Sequence, residues 1–313
     1  MASTNVSRSA EGVAGVRAIE TLKPASERII SDPYARALIR GGLMFSISKW
    51  IIESGWYERM VPGALAFIIG RERYIDDYLK ACLGEGLDQV VILGAGFDTR
   101  AYRISGVERT RVFEVDQPAT QAVKLERLRK VVHPLPTHVT FVPADLNSQA
   151  LGERLESSGY DEHDKTLFIW QGVTYFLTPE GIDSTLAFIA NHSGPNSAVI
   201  FDYVYNETLH TTSQGYGKAL ARAGKVSGES YVFGIDRGRA GLFLAQRGFC
   251  DVLDVPLEDV KLKYFTGSNA ARPMVTGAIA IASARVCGAS DGPVGPAHQA
   301  DRADKPTGTA NSG

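Results

Sequence analysis

The chain has little cysteine and little net charge. Its three cysteines, Cys82, Cys250 and Cys287, show no CxxC or Cys/His spacing, which argues against a disulfide framework and against a zinc site. We predict that they are small buried apolar residues. Lysine and arginine total 33 against 35 acidic residues, so the formal net charge of -2 provides no basic field for nucleic acid or an anionic membrane. We expect a small-molecule partner, without nucleic acid, membrane or metal; the oligomeric state stays open.

Long apolar runs are also missing. The two most apolar stretches, residues 41–56 and 61–70, are interrupted by charged residues, proline or glycine. Neither provides the roughly 20 consecutive apolar residues that a membrane span needs. The first 20 residues lack the apolar core of a signal peptide and mix arginine with glutamate. We therefore expect a cytoplasmic protein.

The pattern of the chain changes at Gln89. Residues 1–88 are predicted to be mostly helical, and after them short β-branched runs alternate with helical segments. Such alternation is typical of a parallel sheet with crossover helices. The predicted strands are residues 90–93, 111–115, 139–142, 166–170 and 198–203. A strand near 251–255 and an apolar run at 274–286 are expected to form an antiparallel pair at one sheet edge.

The segment "VVILGAGFDTRAYRI", residues 90–104, begins as a buried strand and breaks at Gly94 and Gly96. In open α/β sheets, ligands bind beyond the carboxyl ends of the strands. A nicotinamide-binding loop would read GxGxxG, but Thr99 occupies the third glycine position and Asp98 adds negative charge where phosphate would lie. The turn is predicted to disfavour pyrophosphate and to suit an uncharged adenosine with a zwitterionic tail and a sulfonium.

Three further predicted strands end in polar residues. Asp116 follows the second strand, where a carboxylate accepts hydrogen bonds from both ribose hydroxyls. Asp145 and Leu146 follow the third and offer an acceptor for an adenine amino group beside an apolar contact. Gln171 and Gly172 end the fourth, near the tail or the methyl-transfer zone of such a cofactor. The regular placement at consecutive strand ends indicates one binding crevice.

Each feature alone has a structural alternative. A GxG turn is commonly only a turn, and an aspartate after a strand commonly caps a helix. Asp98 is positioned to cap a helix that begins at Thr99. The aromatic residues Trp170, Tyr175 and Phe176 either pack in the core or line a substrate pocket.

Together the motifs resemble the class I S-adenosylmethionine-dependent methyltransferases of the leucine carboxyl methyltransferase type, and among them the small-molecule branch of the tetracenomycin polyketide type. The resemblance covers most of the chain, from "RAIETLKPASERIISDPYA" and "GRERYIDDYL" to "TLFIWQGVTYFLTPE", "FDY" and "RGF". It implies an α/β, Rossmann-like fold with a mostly parallel seven-stranded sheet, an antiparallel edge strand, helices on both faces and a helical N-terminal cap. The implied cofactor is S-adenosyl-L-methionine.

The resemblance also implies the domain organisation and the activity. Residues 1–288 would form one methyltransferase domain, followed by a disordered tail at 289–313 that is rich in glycine, proline, alanine and charge. Within the domain, 1–88 would be the cap, 89–205 the cofactor-binding core, and 206–288 the acceptor-side insert with the C-terminal strands. The implied reaction is O-methylation of a carboxylate or acidic hydroxyl of a polyketide-like or other secondary metabolite.

Carried over position by position, the resemblance implies that Arg71 of "RERYIDD" pairs with the methionine carboxylate, with Arg73 as the nearby alternative. Without the resemblance, a solvated helix arginine is the other interpretation of Arg71. The other implied cofactor contacts are Gly94, Gly96, Asp116, Asp145, Leu146 and Gln171. Gln171 departs from the family, which usually has glutamate there, so a charge that would face the cationic end of the cofactor is replaced by a neutral amide.

No catalytic base stands out. His133 and His138 flank prolines, and His192 and His210 have no motif around them. Because the sulfonium already activates the methyl group and a carboxylate is ionised at neutral pH, a carboxylate acceptor needs no base, whereas a phenol would benefit from one. The catalytic residues are therefore left unassigned, and an ionised or acidic acceptor is favoured.

The acceptor pocket is expected to combine aromatic residues of the cap and of the irregular region at 206–240, which implies a largely apolar acceptor; the alternative is that they are core residues. These residues are Trp50, Trp56, Tyr57, Tyr216, Tyr231 and Phe233. Three rival functions remain: a methyltransferase-like protein without methyl transfer, motivated by Gln171; a protein C-terminal carboxyl methyltransferase; and a nicotinamide-dependent oxidoreductase, which Thr99 disfavours.

Overall fold

A computed structural model describes residues 8–147, 151–211, 215–218, 220–221, 230–275 and 277–288. Within these residues seven strands form one sheet. They are β1 (Gln89–Leu93), β2 (Arg111–Asp116), β3 (Val139–Pro143), β4 (Thr166–Trp170), β5 (Ala198–Val204), β6 (Phe249–Pro256) and β7 (Ile279–Val286). The predicted tail at 289–313 and parts of the predicted insert lie outside the described residues.

The strand order is β3-β2-β1-β4-β5-β7-β6. Strands β1 to β5 pair in parallel, and β7 pairs antiparallel with both β5 and β6. The predicted antiparallel pair is therefore confirmed, with β6 at the sheet edge and the reversed strand β7 one place inside it. Because the chain turns from β1 towards β2 and β3 and later returns to β4 beside β1, the ends of β1 and β4 border the crevice where such sheets bind ligands.

Helices precede and connect the strands. The cap contains α1 (Arg8–Thr21), α2 (Gly42–Glu53), α3 (Trp56–Met60) and α4 (Ala64–Gly84). The later helices are α5 (Arg100–Arg103), α6 (Pro118–Leu128), α7 (Leu151–Ser157), α8 (Pro179–Asn191), α9 (Asn206–His210), α10 (Ala240–Ala245) and α11 (Leu257–Tyr264). Helices α6 and α8 start with proline, whose missing N–H costs nothing in the first turn. Thr178 caps the start of α8, since its Oγ1 accepts a hydrogen bond from Gly181 N–H at 3.2 Å.

The core has two layers, one on each face of the sheet. All five residues of β1 are buried; Val90 and Ile92 belong to the layer that includes α4, while Val91 and Leu93 belong to the layer that includes α8 and α10. A strand covered on both faces is expected to be mostly apolar, as β1 is after Gln89 and β5 is apart from Asp202. The sheet is therefore fixed from both sides, which gives the loops at its carboxyl edge a rigid base.

Among the described residues, no helix combines the length and the apolar composition that crossing a membrane requires. Within the described part of the chain the three cysteines form no disulfide and are partly exposed, so the prediction that they are buried is wrong. Cys82 lies near the end of α4 and contacts the core without being enclosed by it.

Candidate cofactor and acceptor site

A cavity of about 1100 Å³ lies beyond the carboxyl ends of β1 to β4. Its floor is formed by the turns that follow these strands, and helices α1, α2 and α4 contribute the walls that face them. All seven predicted cofactor contacts line this cavity: Arg71, Gly94, Gly96, Asp116, Asp145, Leu146 and Gln171. Residues from four strand ends and one cap helix are thus brought together.

The glycine turn after β1 requires glycine for steric reasons. Gly94 and Gly96 have φ values of 64° and 44°, which side chains rarely tolerate. A Cβ atom at Gly94 would lie 2.4 Å from Cγ2 of Val173. The turn therefore lets the backbone of the β1 loop approach the loop after β4, and it leaves room in the cavity between them.

Asp116, at the end of β2, is fixed against this turn. Its Oδ2 accepts a hydrogen bond from Gly96 N–H, and its Oδ1 accepts one from Gln117 N–H at 2.6 Å. Burial raises the pKa of Asp116, and the two backbone donors only partly oppose that rise. The carboxylate is positioned at the cavity wall with acceptor capacity beyond these two bonds, as the predicted ribose contact needs.

Asp145 and Leu146, after β3, contribute a polar and an apolar group to the same wall. Asp145 Oδ1 accepts a hydrogen bond from Asn147 N–H at 3.0 Å, which holds the turn. Leu146 is buried and packs in the same core layer as Leu151 of α7. The pair fits the predicted adenine contacts.

Arg71 points into the site from α4. Its Nη1 lies 2.5 Å from Asp202 Oδ2 and donates at 3.3 Å to the hydroxyl of Tyr175, and its guanidinium stacks over the Phe67 ring. Its buried Nε has no hydrogen-bond partner among the described residues, an unusual state for a donor away from water. Arg73, in contrast, bonds Asp77 on its own helix and does not line the cavity. Of the two arginines, Arg71 is therefore placed to meet a carboxylate.

Gln171 joins the cavity wall to a group of buried charges. Its Oε1 accepts a hydrogen bond from Arg100 Nη2 at 2.7 Å, and its Nε2 donates one to Glu72 Oε2 at 2.7 Å. We call the surrounding group the buried charge cluster; it comprises Arg17, Asp32, Glu72, Asp76, Asp98, Arg100 and Arg103. Burial by itself would raise the pKa of Glu72, but Arg100, Arg17 and Arg103 outweigh it and hold that pKa below its usual range.

Asp98 does not make the glycine turn acidic, contrary to the sequence-based interpretation. Its Oδ2 contacts Nη1 of Arg100, and its Oδ1 accepts the backbone N–H of Arg100 at 2.6 Å. The carboxylate of Asp98 is thus paired with the guanidinium of Arg100, two positions later. The alternative interpretation of Asp98 as a helix cap fits better. The N–H from which its Oδ1 accepts a hydrogen bond belongs to Arg100, the first residue of α5.

The half of the cavity under the cap is apolar and aromatic. Tyr57, Tyr216 and Tyr231 line it as predicted. The rings of Tyr175 and Tyr231 stack at 5.2 Å, and burial raises the pKa of Tyr175 well above its usual value, so its hydroxyl stays protonated. The prediction was wrong for Trp50 and Trp56, which are 69% and 51% exposed.

Two more aromatic residues turn out to belong to the core. Phe233 is buried and packs against Phe243, away from the cavity. Trp170 is 1% exposed and packs against Phe201, whereas Phe176 lines the cavity. Of the aromatic group that follows β4, Trp170 is thus core, and Tyr175 and Phe176 face the pocket.

No role was predicted from the sequence for Glu72 or Asp202, and the ion pairs of Arg100 were not predicted either. Asp202 is fully buried near the end of β5. It pairs with Arg71, and its Oδ1 accepts a hydrogen bond from Gly172 N–H at 2.6 Å. The signal in the sequence was present, since an aspartate inside the apolar run "AVIFDYV" is unexpected in a buried strand. In the part of the chain that the structure describes, no group of three or more metal-binding side chains occurs.

The fold is that of the class I methyltransferases. The family model described as leucine carboxyl methyltransferase matches residues 10–190, and the chain belongs to this family. A protein of Mycolicibacterium smegmatis, named as an S-adenosyl-L-methionine-dependent methyltransferase, is 32% identical over 250 residues, which cover 72% of this chain and 76% of that protein. YktD of Bacillus subtilis carries a similar name and is 34% identical over 190 residues, which cover 60% of this chain and 56% of YktD.

Solved structures agree on the fold. A DUF574 family protein from Streptomyces avermitilis has a TM-score of 0.56 at 16% identity, and the match covers 85% of this chain and 99% of that one. A structure named as a methyltransferase from Thermobifida fusca has a TM-score of 0.54 at 14% identity, with 87% and 94% covered. The Rossmann-like fold class that the sequence predicted is confirmed.

Proposed function

We propose that this chain uses S-adenosyl-L-methionine to methylate an oxygen of a small, largely apolar molecule that carries a carboxylate or an acidic hydroxyl. The observation that carries the proposal is the two-part cavity. Its volume of about 1100 Å³ exceeds the roughly 300–1,000 Å³ of a typical single-ligand pocket. The polar half suits a nucleoside with an amino-acid tail, and the aromatic half suits an apolar acceptor.

The proposed cofactor contacts follow from the side chains present. Asp116 would accept hydrogen bonds from the ribose, Asp145 and Leu146 would contact adenine, and Arg71 would pair with the tail carboxylate. Gly94 and Gly96 would allow close backbone approach. The bound cofactor supplies a methyl group on a positively charged sulfur, which is already activated for displacement.

In the proposed reaction the residues of both halves would hold the methyl group of the cofactor in line with an acceptor oxygen. The chain contributes alignment and the exclusion of water through the aromatic wall. The protonated hydroxyl of Tyr175 lies beside Arg71 at the junction of the two halves, where it can donate a hydrogen bond to a carboxylate. A carboxylate acceptor needs no base, in keeping with a cavity lining that contains no histidine among the described residues.

We also propose the domain organisation predicted from the sequence: cap, cofactor-binding core and acceptor-side region within one methyltransferase domain, in a protein of the cytoplasm. The cap and core share the cavity, since α1, α2 and α4 line it with the strand ends. Limited proteolysis with and without cofactor tests this, because ligand that bridges cap and core should protect both together.

The test of the function itself is methyl transfer from isotopically labelled cofactor to a panel of aromatic acids, polyketide acids and phenols. Labelled methyl ester or ether is the expected product, and Asp116→Ala should abolish its formation. Tight cofactor binding without transfer to any acceptor would instead support the rival in which the site binds without methylating. Labelling of the carboxyl terminus of a protein substrate would support the protein-directed alternative.

A further inference from the structure

The buried charge cluster is unbalanced. It contains four carboxylates, Asp32, Glu72, Asp76 and Asp98, and three guanidinium groups, Arg17, Arg100 and Arg103. The neighbouring ion pair of Glu114 and Lys124 is neutral as a whole. The cluster therefore carries one surplus negative charge next to a cavity that is proposed to hold a cation.

The cluster meets the cavity at three places: Arg17 and Asp98 line it, each within an ion pair, and Gln171 lines it in contact with Glu72. Glu72 is fully buried and does not line the cavity, but its Oε2 accepts a hydrogen bond from the Gln171 amide at 2.7 Å, and Gln171 does line it. Its Oε1 accepts from Arg103 Nη2 at 3.1 Å. The charge of Glu72 thus lies one side chain behind the wall, and at this point the wall is the neutral amide of Gln171.

The pair at positions 72 and 171 accommodates a single negative charge. With carboxylates at both positions, two like charges would lie at hydrogen-bond distance, and one of them would take up a proton. Exchanging the two residues keeps these hydrogen bonds: the carboxylate at 171 accepts from Arg100, and the amide at 72 donates to it and accepts from Arg103. The ion pairs of Glu72 with Arg17 and Arg103 become contacts to a neutral amide. The charge can therefore sit at either position with the hydrogen bonds intact, and at position 171 it keeps Arg100 as its ion-pair partner.

We propose that Glu72 and Gln171 form one charge-bearing unit, and that the position of its charge sets how strongly the site prefers a cationic sulfonium to a neutral thioether. This inference rests on the proposed function. With the charge on Glu72, the native site should distinguish S-adenosylmethionine from S-adenosylhomocysteine only weakly. Moving the charge to position 171 brings it to the cavity surface, and attraction for the cation rises as the separation falls.

The test compares four chains: the parent, Glu72→Gln, the double variant Glu72→Gln/Gln171→Glu, and the control Glu114→Gln. The control removes a carboxylate from a buried ion pair of 2.7 Å that does not line the cavity. Isothermal titration gives Kd for S-adenosylmethionine and for S-adenosylhomocysteine, and thermal unfolding without ligand reports folding. The readout is the ratio of the two Kd values, which requires no acceptor and no turnover.

We expect the ratio to shift towards S-adenosylmethionine by about fivefold or more in the double variant, to shift the other way in Glu72→Gln, and to stay unchanged in Glu114→Gln. A folded double variant that binds both ligands with the parent's ratio would overturn the inference and leave the proposed function intact. A double variant that does not fold would overturn the exchangeability of the charge. A parent that binds neither ligand would overturn the proposed function together with the inference.

Discussion

Arg71 and Asp202 form a buried ion pair that joins α4 to the end of β5, with Nη1 and Oδ2 2.5 Å apart and side chains 3% and 0% exposed. The same carboxylate accepts the N–H of Gly172 at 2.6 Å, so one aspartate fixes both the cation and the turn after β4. Removing one partner of a buried pair typically costs about 3–5 kcal/mol, because the other charge stays buried. A substitution at position 71 should therefore retain the positive charge, so that the variant folds and its ligand binding can be measured.

Arg71→Lys is expected to weaken S-adenosylmethionine binding by about tenfold or more, because an ammonium group cannot form the planar, two-pronged contact with a carboxylate. Arg73→Lys is the matched control on the same helix, since Arg73 bonds Asp77 outside the cavity. Its Kd should stay within about twofold of the parent's, as its exposed ion pair contributes little. Isothermal titration of both variants checks this; equal losses in the two would remove Arg71 from the proposed site.

Cofactor affinity should fall in acid at a higher pH than an ordinary aspartate would produce. Burial raises the pKa of Asp116, and hydrogen bonds from a ribose favour its ionised form, so binding expels the proton. Protonation of the free site therefore competes with binding as the pH drops through the raised pKa. Calorimetry in buffers of different ionisation enthalpy should show proton release in the parent. Asp116→Asn should bind weakly and without this release, and an unchanged pH profile in that variant would exclude Asp116 as its source.

Gly94→Ala should destabilise the protein by about 2 kcal/mol or more, because the new Cβ combines positive φ with a 2.4 Å approach to Val173. Gly241→Ala in α10 is the control, since a Cβ there would have no neighbour within 4 Å. In a helix, alanine is favoured over glycine by about 0.5–1 kcal/mol, so this variant should be as stable as the parent or more so. Chemical denaturation measures both; equal stability of the two variants would show that the turn tolerates a side chain.

Tyr231→Ala should raise the acceptor KM several-fold and leave the Kd of S-adenosylmethionine near the parent's value. The Tyr231 ring stacks on Tyr175 in the aromatic half of the cavity and adds apolar contact area there. Trp50→Ala is the comparison: it removes a larger aromatic side chain that is 69% exposed and outside the cavity. Both constants should stay unchanged in it. If the acceptor KM changed in Trp50→Ala and not in Tyr231→Ala, the acceptor would instead bind at the outer surface of α2.

The strand ends could be predicted because their signals are local. An apolar run followed by glycine or aspartate marks where a buried strand stops, and parallel strands then bring these ends together without further information. For this reason Gly94, Asp116 and Asp145 were found from the sequence and meet in one cavity. The choice between Arg71 and Arg73 came from the family resemblance, and the orientation of α4 supports it.

Other features depend on partners far away in the chain. Arg71 and Asp202 are 131 positions apart and Gln171 and Glu72 are 99 apart, so no local pattern reveals either contact. The charge of Asp98 was misjudged because its partner, Arg100, folds back onto it. The exposure of Trp50 was missed because the apolar residues of α2 occupy both faces of the helix, and periodicity alone does not tell which face the protein covers.

The position of β7 has a consequence for synthesis. In the described part of the chain, strand β6 pairs only with β7, and β5 pairs with β7 as well as with β4. The pairing of both strands is therefore incomplete until residues 279–286 have left the ribosome. During that interval β5, which is buried along its whole length in the finished fold, presents an open edge of unpaired N–H and C=O groups. Nascent chains that pause before this point therefore expose a template for pairing with another chain, and insertion of the last strand is the step that ends their risk of aggregation.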